Sequence, residues 1–500
     1  MRGDLTRSST MLVVEKVVGL VATLLITPFL IRALGTNDYG LWILILSVLG
    51  WFSVLDLGLP LAVQRYITIA LEKGDSRTVN TVFSTSMMLF TSIGVLAVLG
   101  MLLLAEFPQF LGVSIEDHPT VSMALTFLSV KVLWDFMMNA FHGFFAGLLR
   151  FDIDANISSL NNITKSLMIL TFVPALNIKG AVYATILADV LSNLLKIYYS
   201  KRLYQPLRFG LSFVKVSEIR RLFHFSKHVV AIGIARTLNV KSAPFIIAQI
   251  LDLRSVALYS IADRLVAHAQ SFALSISITF GPLFTKKVAR GESVNQLFAN
   301  VSSINMFAVS AIFLPLLALG SSFIGIWVGV DFAAAYPIVV ILVLVLICRF
   351  VSVSVRQVLL AQENHQLLSV VQLIGAILNI SFSIVLAKKY GLIGIALGSA
   401  IGAVTADVLL SLVLLKHYND FKVTPVLRTL VVTIVITFGA GLALNKVFAL
   451  IVIDQWQSII LFGALVTPFS VGVLFLTVLP RRLQQVFAST VVNRLRATLR

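Results

Sequence analysis

The sequence predicts an all-α integral membrane protein of about 14 transmembrane helices, and three observations lead there. Apolar residues make up 58% of the chain, charged residues only 12%, and the mean hydropathy is +0.97. A soluble fold needs more charge than this to cover its surface. The apolar residues also gather in stretches of roughly 20 or more, the length that crosses a hydrocarbon core. Finally, the loops between these stretches are short and rich in Lys and Arg. The net charge of +17 therefore reads as a topology signal, and no nucleic-acid partner is expected.

The apolar stretches run over residues 11–34, 40–63, 80–104, 120–147, 156–177, 180–200, 229–250, 256–284, 296–320, 335–355, 366–387, 391–415, 427–450 and 458–479. The first follows Arg2 and Arg7 and continues through Pro28 to Leu34. That is too long for a signal-peptide core, so a retained helix is expected. Helices satisfy every backbone group within one segment, which lipid demands of an open chain. With the N-terminus inside, the cytoplasmic ends collect Arg65, Lys73, Arg77, Arg150, Lys286, Lys287, Arg290, Arg356, Lys416, Lys422 and Arg428. The tail adds Arg481, Arg482, Arg494, Arg496 and Arg500. The external stretch "AEFPQFLGVSIEDHP" holds acids and no Lys or Arg. Both termini are thus expected in the cytoplasm.

Residues 201–228 interrupt the spans with Lys201, Arg202, Arg208, Lys215, Arg220, Arg221 and Lys227 against Glu218 alone. Part of this segment, "SEIRRLFHF", reads as an amphipathic helix on an anionic leaflet, or as ordinary positive-inside charge. The expected organisation is an N-lobe over 1–200, a basic connector over 201–228 and a C-lobe over 229–416. Two further helices follow over 417–480, then a basic tail over 481–500. The two lobes read as repeats offset by 217 positions. The offset carries Trp42 of "DYGLW" onto Tyr259 of "SVALY", "KGD" at 73–75 onto "RGE" at 290–292, and Asn162 onto Asn379. Six helices per unit keep both copies in one orientation, as parallel repeats that bind substrate between them and alternate its access.

Charge at membrane depth is costly and marks candidate function. Arg236 and Lys241 precede Pro244 in the seventh stretch. Arg264, His268, Ser271 and Ser275 follow helical spacing in the eighth. Similar stripes join Lys16, Gly19, Thr23 and Thr27; Ser158, Asn161, Asn162 and Lys165; and Arg349, Ser352 and Arg356. Each stripe alone could be a helix contact. Together, Arg264, Lys241, Arg236, Lys16, Lys165 and Arg349 are candidate ligands for an anionic substrate. Lys131 and Asp135, four apart, are expected to pair. Asp189, Asn193 and Lys196 form a local chain. Asp56, Asp263 and Asp407 have no evident local partner beyond Arg264 and are candidates for ion coupling. The single cysteine, Cys348, excludes an internal disulfide, and neither metal-ligand spacing nor a phosphate-binding loop is present, so no cofactor is expected.

Four stretches carry a resemblance. "PFLIRALGTNDYGLWILILSVLGWFSVLDLGLPLAVQRYI", "LYSIADRL", "GLLRFDIDANISSLNNITKSL" and "LLAQENHQLLSVVQLIGAILNISFSIVLAKKYGLIGIALGSAI" resemble, in order and spacing, the polysaccharide-transport flippases of the Wzx type. These belong to the multidrug/oligosaccharidyl-lipid/polysaccharide exporter superfamily. The resemblance covers nearly the whole chain. It implies two six-helix lobes around a central cavity, here with two extra helices, in the bacterial inner membrane. It also implies movement of a polyprenyl-pyrophosphate-linked oligosaccharide (an O-antigen or exopolysaccharide repeat unit) to the outer leaflet. Membrane lipids and polysaccharide assembly proteins are the further partners implied. Arg264 corresponds by position to a cavity arginine of the related lipid II flippases. Lys16 and Arg32 stand where those proteins carry early-helix arginines, so an identical substrate is not implied. A cation-coupled multidrug exporter of the same superfamily is the alternative. A membrane-embedded polymerase or ligase is disfavoured because no external loop is large enough for a catalytic constellation.

Overall fold

In the computed structural model, residues 2–489 are described except 57, 363–364, 419–420, 422, 452, 454 and 488. Lys422 and the tail arginines Arg494, Arg496 and Arg500 lie outside the described residues. Fifteen α-helices are formed and no strand occurs among the described residues. In order they are α1 (Arg2–Leu34), α2 (Thr36–Phe52), α3 (Leu59–Glu72), α4 (Ser76–Glu106), α5 (His118–Gly147), α6 (Phe151–Leu203), α7 (Val216–Ile250) and α8 (Leu253–Ile278). There follow α9 (Gly281–Ala289), α10 (Asn295–Val328), α11 (Tyr336–Ala361), α12 (His365–Ala403), α13 (Ser411–Tyr418), α14 (Thr424–Ala449) and α15 (Trp456–Thr477). A π-helical segment, Val404–Leu410, joins α12 to α13.

Ten helical segments among the described residues are long and apolar enough to cross a membrane. Two of them, Phe151–Leu203 and Ser369–His417, contain a non-helical residue, Asn177 and Gly391, that divides each into two limbs. α7 and α8 stand outside the ten; Arg236, Asn239 and Lys241 lower the hydropathy of α7. All fourteen apolar stretches are nonetheless largely helical. The stretch predicted as one span over 40–63 is interrupted by a tight turn at Ser53–Asp56. It restarts as α3 after Gly58, whose φ of 66° lies in the left-handed region that glycine tolerates. The stretch over 256–284 also breaks, between Ile278 and Gly281 before α9, there without a left-handed residue.

Packing divides the chain into two compact units, Met1–Ala257 and Leu258–Arg500. In the first, α1 lies on α6, and α4 on α5. α7 lies against α2, α3 and α4, which brings residues 201–228 into this unit. In the second, α10 is the hub, touching α11, α14 and α15. The internal repeat is visible in the backbone. Gly74 and Gly291 turn at φ 67°, and Gly112 and Gly329 also have positive φ, each pair 217 positions apart. The breaks at Asn177 (φ 51°, ψ −132°) and Gly391 (φ 57°, ψ −135°) match nearly as well. Next to each break a glycine lets the limbs meet. A Cβ on Gly180 would lie 2.4 Å from the Phe172 carbonyl oxygen, and one on Gly394 would lie 2.1 Å from that of Leu386.

The matching turns also share an acid. Asp75 accepts from the Thr78 backbone N–H at 2.9 Å and so caps α4. The Thr78 contacts hold its carboxyl below the usual range. Glu292 accepts from Lys287 Nζ at 2.9 Å, which lowers its carboxyl likewise.

Candidate functional site

Helix spacing alone brings Lys131 and Asp135 together on α5, where they form an ion pair. The fold adds a third group. Lys131 Nζ lies 2.9 Å from Asp189 on the second limb of α6. Asp189 also takes Lys165 Nζ at 3.5 Å and accepts from Asn161 Nδ2 at 2.7 Å, both from the first limb. Its side chain is 10% exposed, so this carboxylate survives at depth because two cations and an amide replace its water. A cavity of about 360 Å³ opens beside the cluster. Lys131, Asp135, Lys196, Asp56 and Asn139 line it, and Asn139 Nδ2 donates to Asp56 at 2.7 Å. Nearby, His142 Nδ1 and Asp154 stand 2.5 Å apart.

The second unit repeats the arrangement with fewer charges. Arg349 on α11 lies 3.7 Å from Asp407, which is buried in the π-helical segment and also accepts from Gln372 Nε2 at 2.9 Å. Lys131 and Asp189 are 58 positions apart, as are Arg349 and Asp407. The two pairs sit 218 positions from one another, one position off the repeat offset. Deeper in this unit, Asn305 Nδ2 donates to Ser354 at 2.9 Å, and Ser277 donates to Asn305 at 2.8 Å.

The six candidate cations thus fall into three groups. Lys165 and Arg349 are committed to carboxylates. Lys16 on α1 and Arg264 on α8 are half-buried and engaged by neighbours, as is Asp263. Arg236 and Lys241 on α7 have no carboxylate within 4.0 Å among the described residues. Arg236 is exposed and Lys241 half-buried. The stem of Lys241 runs across Gly50, where an added Cβ would meet Lys241 Cε at 2.9 Å. Its carbonyl accepts from Trp51 Nε1 at 3.0 Å. Alternate faces of α7 therefore carry Arg236 and Lys241, as five-residue spacing requires.

The connector is built differently from a plain charged loop. Asn80 Nδ2 donates to the Pro206 carbonyl at 3.0 Å, and the Arg208 N–H donates back to Asn80 Oδ1 at 3.0 Å. Ser84 and Thr85 receive the N–H groups of Gly210 and Lys215 at 3.3 and 3.2 Å. Arg221 stacks over Tyr66 at 4.0 Å. The polar run at 80–85, unusual at the start of an apolar helix, was the available sequence signal for this clamp.

Residues 5–288 match the family model described as polysaccharide biosynthesis protein. The chain belongs to that family. Among curated relatives it is 21% identical over 455 residues to the uncharacterized membrane protein EpsK of Bacillus subtilis, covering 88% of this chain and 89% of that one. It is 22% identical over 420 residues to the probable low-salt glycan biosynthesis flippase Agl15 of Haloferax volcanii, covering 81% and 82%. It is 23% identical over 409 residues to a putative O-antigen transporter of Shigella flexneri, covering 78% and 93%. Among solved structures, the lipid II flippase MurJ in an inward closed conformation superposes with a TM-score of 0.73 at 16% identity. That match covers 94% of this chain and 98% of MurJ. An inward-facing multidrug resistance MATE transporter gives 0.63 at 16%, over 81% and 99%. The chain shares the multi-pass helical fold of these two proteins.

Proposed function

We infer that this protein is a flippase that carries a polyprenyl-pyrophosphate-linked oligosaccharide from the inner to the outer leaflet of the bacterial inner membrane. The observation that carries the reading is Lys241, a half-buried cation on a long helix with no carboxylate partner among the described residues. A cation on a membrane-spanning helix without a counter-ion is costly, and an anionic substrate group supplies one. Arg236 on the same helix offers a second, and Arg264, Lys16, Lys165 and Arg349 are further contacts once the protein rearranges. Pyrophosphate pairs well with such groups because charge-assisted hydrogen bonds replace its hydration. The relatives named as a glycan flippase and an O-antigen transporter support the cargo class. In this reading both termini are cytoplasmic and the protein is a transporter rather than an enzyme.

A second reading, a cation-coupled multidrug exporter, draws on the carboxylates Asp56 and Asp135 lining one open cavity and on the MATE-like fold. Depletion in the native host separates the two. Under the flippase reading, complete prenyl-linked repeat units accumulate in a form inaccessible to a membrane-impermeant glycan-modifying enzyme. Unchanged glycan lipids together with new sensitivity to cationic drugs would favour the exporter. In that case Asp56, Asp263 and Asp407 become the coupling residues to test.

A further inference from the structure

The first unit holds a second cavity, of about 550 Å³, between the end of α2, the end of α4 with its following turn, and α7. Its walls are apolar; Trp51, Leu104, Ile234, Leu238 and Phe245 are among them. An apolar cavity of about 150 Å³ already stays dry and accepts a benzene ring. A space several times larger, without polar partners for water, is a seat for hydrocarbon.

Two observations say which hydrocarbon. Ile234, Leu238, Lys241 and Phe245 recur at i, i+4, i+7 and i+11, one face of α7. Three of them line the cavity, and the fourth is the lysine that has no carboxylate partner among the described residues. Lys241 also touches both sides of α2. Its carbonyl is held by Trp51, which lines the apolar cavity, and its stem crosses Gly50, which lines the charged one. Phe52 lines both cavities. An apolar seat therefore abuts a polar one, with a cation at the junction. That is the complement of an amphiphile whose anionic head is attached directly to its chain.

We propose that this cavity seats the first isoprene units of a polyprenyl chain while Lys241 takes the adjoining pyrophosphate. The assignment rests on the flippase reading and adds to it the place where the lipid part of the cargo is held.

The test uses the full chain in phosphatidylcholine nanodiscs, with geranylgeranyl pyrophosphate and inorganic pyrophosphate as probes. Ile234→Trp, which fills the cavity, is expected to weaken geranylgeranyl pyrophosphate binding about tenfold or more and to leave inorganic pyrophosphate unchanged. Leu104→Trp acts from the opposite wall and should do the same. Lys241→Ala should weaken both probes. On the unaltered protein, a benzophenone-bearing isoprenyl pyrophosphate should label peptides of α2 and α7. Geranylgeranyl pyrophosphate should compete with that label, and phosphatidylglycerol should not. Equal competition by phosphatidylglycerol would assign the cavity to a bilayer lipid and overturn the proposal, as would labelling confined to other helices. If depletion blocks glycan export but Ile234→Trp binds geranylgeranyl pyrophosphate normally, the cavity assignment fails and the flippase reading stands. If depletion leaves export normal while binding depends on the chain and on Ile234, the site stands and the flippase reading fails.

Discussion

Replacing Asp189 by alanine should destabilise the first unit by an amount the geometry fixes. The carboxylate faces Lys131 at 2.9 Å, Lys165 at 3.5 Å and the Asn161 amide at 2.7 Å. Breaking one side of a buried pair costs roughly 3–5 kcal/mol. Lys131 keeps Asp135 as a partner, and Lys165, at 29% side-chain exposure, recovers some hydration. The loss should therefore lie at the low end, about 3 kcal/mol, or roughly a hundredfold in the folding equilibrium. Heating detergent-solubilised protein and measuring the monodisperse fraction by size-exclusion chromatography reads this as a lowered transition. Adding Lys131→Met should restore part of the loss. The stranded charge is then gone, and a buried pair replaced by apolar groups of similar volume is often neutral. Asp135, 38% exposed, can turn to water. A heating profile for Asp189→Ala that matches the unaltered protein, or a deeper defect in the double variant, would refute the reasoning.

Three further outcomes follow from the geometry. Arg349→Ala leaves the buried Asp407 with Gln372 as its one remaining side-chain partner among the described residues and should lower the heating transition of the protein; Arg349→Lys should recover much of it, because charge rather than guanidinium shape is what Asp407 requires. Asp75 is held below its ordinary range by Thr78, so its cap stabilises α4 at neutral pH and is lost as the pH falls through its lowered value. Asp75→Ala should thus lower the transition at pH 7 and differ progressively less from the unaltered protein towards pH 3. Gly180→Ala and Gly394→Ala each drive a Cβ into a carbonyl oxygen and should reduce the folded yield, by about 1–3 kcal/mol of strain each. Gly439→Ala on the exposed face of α14 meets nothing within 4 Å and should be neutral or stabilising.

Much of the fold was legible because lipid permits few alternatives. Apolar length located the helices, and the recurrence of "KGD" as "RGE" located the repeat that Gly74 and Gly291 now express in their backbone. Local spacing also sufficed for Lys131 with Asp135. It could not find Asp189 beside Lys131 or Asp407 beside Arg349, because each pair is joined by two helices turning back on each other rather than by one helical face. Lys165 and Arg349 looked like spare cations for that reason, and Asp56 seemed unpartnered because Asn139 is 83 positions away. The turn at Ser53–Asp56 was hidden by its apolar neighbours, since hydropathy counts residues and does not see Gly58. Only half of the connector's clamp was legible: Asn80, Ser84 and Thr85 mark one side, whereas their partners are backbone groups, which every residue possesses.

The two matching ion pairs have a mechanical corollary. Each ties a straight helix to the limb beyond a break, at Asn177 or at Gly391. The far limb is thus moored, and bending must swing the near limb. What fastens the near limb differs between the copies. In the first unit Lys165 and Asn161 reach across the break to Asp189, a charged rivet and a neutral one. In the second, hydrogen bonds span the break: Gln372 donates to Asp407 at 2.9 Å, Ser399 to Asn379 Oδ1 at 3.0 Å and Ser383 to the Ile395 carbonyl at 3.1 Å. Both joints are thus pinned, the first by a charged contact and an amide at one carboxylate, the second by hydrogen bonds spread along the hairpin. A duplicated scaffold has been given two kinds of hinge pin, one concentrated at a charge and one distributed, by changing the side chains that span the bend.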